Sequence, residues 1–157
     1  MLTMKWKKPN IAKIYEALAI LADGRIERSG NTAKIYSSDR KKFYNVEYDP
    51  THNIISSNDS GSYWQGYLAH PSIALLLDLG IIKYDKKLAS FLKGFAWKQI
   101  MDRYKHDYPE ALSYIKQQVI SKHPNFDYDL LELECDRILG EVMKLGLQKP
   151  TNRPKLA

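Results

Sequence analysis

Between Pro71 and Gly80 the chain reads Ser-Ile-Ala-Leu-Leu-Leu-Asp-Leu. Pro71 suits the first turn of a helix, and Gly80 supplies a left-handed stop. Ile73, Ala74, Leu75, Leu76, Leu77 and Leu79 then surround that helix on nearly every side. A helix that is apolar all round is stable only when it is covered from more than one direction. The rest of the chain must therefore supply layers on both sides of it. With 157 residues and 44% apolar side chains there is material for one ordinary core.

The segments on either side read as those layers. Pro9 and the stripe Ile11, Ile14, Tyr15, Leu18 and Leu21 predict a helix over 9–22, stopped at Gly24. Gly30-Asn31 is a two-residue hairpin turn. It sets Ile26 opposite Ile35 on one face and Glu27 opposite Lys34 on the other. Phe43–Tyr48 is a third strand, with Tyr44, Val46 and Tyr48 on one face. Asp49-Pro50-Thr51-His52-Asn53 is turn chemistry, and Ile54–Ser57 is a short fourth strand. Four consecutive strands with short turns make an antiparallel meander.

Beyond Gly80 the pattern is helical. Asp85 reads as an N-cap before Leu88, Phe91 and Leu92. Trp97, Ile100, Met101 and Tyr104 form the next stripe, and Pro109 opens another with Leu112, Ile115 and Val119 inward. Asp127 or Asp129 caps a last helix with Leu131, Cys135, Ile138, Val142 and Leu145 inward, stopped at Gly146. The fold class is α+β: a four-stranded antiparallel meander packed on the first helix and on the Pro71–Leu79 helix, followed by a C-terminal helical half. The expected organisation is 1–80, then 81–147 on the same core, then a loose basic tail over 148–157.

Composition bounds function. No apolar run approaches the ~20 residues of a membrane span, so no membrane partner is expected. No apolar stretch follows Lys5, Lys7 and Lys8, which argues against a signal peptide. The single Cys135 excludes an intramolecular disulfide and a cysteine-based zinc site, and reads as a buried small hydrophobe. The expected location is cytoplasmic. The net charge of +6 is unevenly spread. Residues 1–57 carry ten Lys/Arg against six Asp/Glu, whereas residues 108–147 carry four against seven. A basic front with an acidic helical back fits a nucleic-acid face. The competing reading is a lysine-rich solvated surface.

The order of features around Ser56–His70 carries a resemblance. Gly24-Arg25-Ile26 opens a hairpin. A tyrosine-rich strand, a short strand, a polar loop and a His-Pro step into the helix Ile73-Ala74-Leu75-Leu76-Leu77 follow. This order resembles the SWIM zinc-binding domain over roughly residues 24–80. In that family a Cys-x-Cys on a late strand and a Cys-x-His at the helix start hold the metal. Those positions are Ser56, Asn58, Leu68 and His70 here. With three of four ligands absent, the resemblance implies a metal-free form of the fold, without cofactor, acting as a binding module for nucleic acid or protein. Tyr63, Trp64 and Tyr67 then either staple the loop in place of zinc or face a partner.

Three functional readings follow. For DNA or RNA, Arg40, Lys41 and Lys42 sit in a turn near the loop aromatics. Leu88–Gly94 with Trp97–Met101 also resembles a helix-turn-helix whose second helix carries Lys98 and Arg103. For a protein partner, the interaction residues are Tyr63, Trp64, Tyr67 and His70, or the acidic last helix. For an enzyme, Asp59, Ser60, Ser62 and His70 supply the right residue types. Yet Gly-x-Ser-x-Gly, HExxH and a phosphate-binding glycine loop are all missing. The reading favoured by the sequence is a non-catalytic binding module, nucleic acid first and protein second.

Overall fold

The computed structural model describes residues 4–59, 62 and 65–150. The first helix, α1 (Ala12–Ala22), begins later than its pattern suggests. Pro9 lies outside it, and the Asn10 side chain accepts the Ala12 N–H at 2.9 Å in place of a conventional cap. The strands β1 (Ile26–Ser29), β2 (Thr32–Tyr36), β3 (Phe43–Asp49) and β4 (Ile54–Ser57) form one antiparallel sheet in chain order. Ile26 pairs with Ile35 and Glu27 with Lys34, the register set by Gly30-Asn31. Ala33, Ile35, Val46 and Ile55 turn to the buried face.

The helix α2 (His70–Asp78) is the central element. Ile73, Ala74, Leu75 and Leu76 are each 0% exposed. It takes the main contacts of the sheet on one side and of α1 on the other, so α1 forms a third layer behind α2. This arrangement follows from α2 being apolar all round. The helical half comprises α3 (Lys86–Ser90), α4 (Trp97–Arg103), α5 (Tyr108–Lys122) and α6 (Tyr128–Lys144). The side chains of Asp85, Asp107 and Asp127 cap α3, α5 and α6 by accepting the N–H groups of Leu88, Glu110 and Asp129. Ile14, Ile35, Ile55, Ile115, Leu131 and Ile138 belong to one continuous apolar core, and Cys135 is buried within it. No helix among the described residues is long and apolar enough to cross a membrane.

The segment Met4–Trp6 is tied to Leu147–Lys149, so Gln148 and Lys149 are held in place, which the reading of a loose tail from 148 did not foresee. Trp6 donates its backbone N–H to Leu147 O and its indole N–H to Ile55 O. Gln148 donates to Asn53 O and its carbonyl accepts from Ile55, so it lines the outer edge of β4. Lys149 donates to Met4 O at 2.8 Å. An open strand edge is satisfied here by a backbone more than ninety positions away, for which sequence periodicity holds no signal. Residues 151–157 lie outside the described residues.

Asn53 closes the same region. It holds φ +56 and donates its side-chain amide to the carbonyls of Leu145 and Gly146, beyond the end of α6. Asn53→Ala removes both bonds and places a Cβ residue without a local hydrogen-bonding side chain in the left-handed region. Urea unfolding should show a loss of about 2–3 kcal/mol. Asn53→Gly keeps the backbone unstrained and should lose less.

Candidate functional site

A cleft of about 970 Å³ opens where α1, the N-terminus of α2, the β2–β3 turn and α4 converge. Its floor holds a buried ionic cluster. Glu16, on the α1 face toward α2, is 7% exposed. Its Oε2 lies 3.1 Å from Lys13 Nζ and 3.2 Å from His70 Nδ1. Neither contact has hydrogen-bond geometry, so both act as charge contacts. Burial alone would raise the Glu16 pKa. His70 and Lys13 beside it override that and hold the carboxyl at about 2. Burial likewise opposes the Lys13 charge, but Glu16 and the neighbouring Tyr108 raise its pKa. The Lys13 ammonium also sits 5.3 Å from the centre of the Tyr108 ring.

Aromatic walls enclose this cluster. Tyr44 of β3 meets His70 edge to face, with ring centres 6.2 Å apart. Burial, then the Asp59 and Glu16 charges, push the Tyr44 pKa up and keep its hydroxyl protonated. Trp97 lines the cleft at the start of α4, and its buried indole N–H has no hydrogen-bond partner. Tyr67 is 42% exposed at the rim, with Lys7 5.5 Å from its ring centre. Gly66 beside it holds φ +75, and Lys149 Nζ would lie 2.7 Å from any Cβ there. The positive φ favours glycine there, and the flexible Lys149 ammonium settles over it.

The rim is basic. Lys8 precedes α1, Lys42 opens β3, and Lys98 stands at the start of α4. Lys98 is 3.6 Å from Asp39, and its backbone N–H is received by Ser38 Oγ. Lys8 and Lys42 make no ion pair among the described residues. His106 also lines the cleft. It and Lys105 hold φ +62 and +52, two adjacent left-handed residues that are not glycine. Strain of this kind collects at sites where a side chain must be aimed.

The residues singled out by sequence divide clearly. Lys42, Lys98, Tyr67 and His70 meet at this cleft. Arg40 and Lys41 are exposed in the β2–β3 turn but do not line it, and Arg40 donates to Asp23 O. Arg103 stacks over Tyr114, outside the cleft. Tyr63 and Trp64 lie outside the described residues, as do Ser60 and Gly61. Ser62 is 1% exposed and donates its hydroxyl to Asp59 at 2.7 Å, while His70 engages Glu16. The Ser-His-Asp residue types are therefore present, but the serine and the histidine serve different carboxylates. At the SWIM-like positions, Ser56 is half-buried on β4 and the Asn58 side chain accepts the Asn45 N–H. Leu68 is buried, and His70 faces Glu16. Among the described residues no group of three or more His, Cys, Asp and Glu is placed to hold a metal.

Residues 6–148 match the family described as uncharacterised conserved protein UCP014422. The chain belongs to that family. The match runs from Trp6 to Gln148, so the sheet, the helices and the cleft all fall within the family's extent. No curated protein and no solved structure matches the chain.

Glu16, Lys13, Lys8, Tyr108 and His106 escape the sequence reading. Glu16 had a signal: it is the single acidic residue in the otherwise apolar run Ile14–Ala19, and Lys13 precedes it by one turn. Its stabilisation is complete above its ordinary pKa of 4.5 and is lost as pH falls toward about 2. Glu16→Gln should therefore lose about 3 kcal/mol at neutral pH. It should also flatten the acid limb of stability between those two pH values, as read by denaturant titrations across pH.

Proposed function

We propose that this chain is a non-catalytic, cytoplasmic nucleic-acid-binding module whose cleft takes an unpaired strand. The observation that carries the reading is convergence. Lys8, Lys42 and Lys98, far apart in sequence, ring one concave site walled by Tyr44, Tyr67 and Tyr108. Lysines beside exposed aromatic faces give phosphate contacts and base stacking together. A concave aromatic site favours unpaired bases, because a duplex presents only its groove edges.

The ionic floor supports the same reading. Glu16 occupies the Nδ1 side of His70, which leaves Nε2 as the ring nitrogen free to meet a ligand. The Tyr44 hydroxyl stays protonated and serves as a neutral donor. The resemblance to SWIM domains points to a binding module as well, with the surface retained in the absence of the metal ligands.

Fluorescence anisotropy with labelled single-stranded DNA and RNA tests the reading. Binding should weaken steeply with salt, and Lys8→Glu and Lys42→Glu should each lower the salt slope by about one. Arg103→Ala, outside the cleft, should change little. Absence of binding at low salt, or binding indifferent to Lys8 and Lys42, would sink the proposal.

A further inference from the structure

The helix α6 carries two stripes, and the core uses one of them. Leu131, Cys135, Ile138 and Val142 are buried. Asp129, Leu133, Asp136, Gly140 and Met143 repeat at spacings of four, three, four and three on a second face, and all are exposed. Leu133 is 64% exposed, and Leu130, beside this stripe, is 50% exposed. The stripe has the spacing of a helix–helix seam, with Leu133 and Met143 as its exposed apolar positions and Asp129 and Asp136 flanking Leu133. Gly140 strengthens the point. It lies mid-helix with ordinary helical backbone, and a Cβ there would meet nothing within 4 Å. Glycine weakens a helix interior, and no neighbour in the chain requires it.

We propose that this face is a two-fold interface between two copies of the chain, with their α6 helices antiparallel. The argument is self-complementarity. In one antiparallel register, Leu133 of each copy lies over Gly140 of the other, a large side chain over the one position that lacks one. The same register sets Asp129 beside Lys144 and Asp136 beside Arg137, whose guanidinium also holds Glu134 in its own chain. A two-fold interface makes every pair occur twice, so the Leu133–Gly140 fit and the charge pairs each count double in this register. In the single chain Lys144 has only Glu141 at 3.9 Å, and no ion pair involves Asp129 or Asp136 among the described residues. A groove of about 820 Å³ lined by Leu88, Phe91, Phe126 and Leu130 adjoins the N-terminal half of α6.

Sedimentation velocity and light scattering on the full chain, over a wide concentration range, test the proposal. A dimer is expected. Leu133→Glu should raise its Kd by about tenfold or more. Gly140→Leu should weaken the dimer while raising the melting temperature measured at monomeric concentrations, two readouts that move in opposite directions. Lys144→Asp should weaken association, and Asp129→Lys combined with Lys144→Asp should restore it, with circular dichroism confirming folded chains. A chain that stays monomeric at every concentration overturns the proposal. So does a dimer that Leu133→Glu and Gly140→Leu leave intact, or a folded double reversal that fails to restore association.

Discussion

Glu16 sits in the middle of α1, on the side facing α2, where little water reaches it. An ionised carboxylate in that position is tolerable only with compensating polar partners held against it. Lys13 comes from the same helix, one turn away. His70 comes from the first residue of α2 and fixes how far along α1 the second helix begins. Since α2 is apolar on every side, its body must lie between the sheet and α1. Its C-terminus then carries the exposed Asp78–Arg28 pair, whereas its N-terminus meets the buried Glu16 charge. The cleft forms there because the layers cannot close over a buried ion cluster as tightly as over leucine.

The other walls of the cleft follow from that placement. The β2–β3 turn reaches toward α4, where Ser38 Oγ receives the Lys98 N–H and Asp39 draws in the Lys98 ammonium. The Asp39 carboxyl is held low, at about 2, first by the Lys41 N–H and the Ser37 hydroxyl and then by Lys98. The turn is therefore fixed by hydrogen bonds rather than by burial, and it keeps Lys42 at the rim. On the far side, the N-terminal segment is paired to Gly66 and Leu68 through Lys7, which sets Lys8 and Tyr67 near one another. Rigid pairing on both sides positions the rim lysines without pairing off the charges of Lys8 and Lys42.

Legibility in the sequence tracks how local each determinant is. Gly30-Asn31 fixed the hairpin register because the turn and the alternation lie within ten residues of each other. The apolar surround of α2 announced its burial, and Asp85 and Asp127, one of two candidates for the last helix, are caps whose partners are two or three residues away. What stayed hidden is non-local. The Asn53 bonds to the end of α6, the Trp6 bond to Ile55 and the Gln148 edge pairing each join residues about fifty or more positions apart. The site behaves the same way. His70, Tyr67, Lys42 and Lys98 could each be picked out by residue type, but only the fold brings them to one cleft and separates Arg40, Lys41 and Arg103 from it. Glu16 was masked by its apolar neighbours, since a single charge in an apolar helix reads as a solvent-facing residue until the helix is seen to be buried on most sides.

The uneven charge of the chain acquires a physical sense in this arrangement. The basic excess of the first third supplies the rim lysines Lys8 and Lys42, while the acidic excess of residues 108–147 lies largely on α6 and the turn before it. No residue of α6 lines the cleft. Under the proposed function, Asp129 and Asp136 would repel a strand drawn to the rim lysines and so keep it off the α6 face. In the proposed dimer, the acidic faces turn inward against Lys144 and Arg137, and two basic clefts remain open on one body. If both proposals hold, a strand long enough to reach both clefts would bind its second site intramolecularly, and the dimer face would add avidity to a single-site contact.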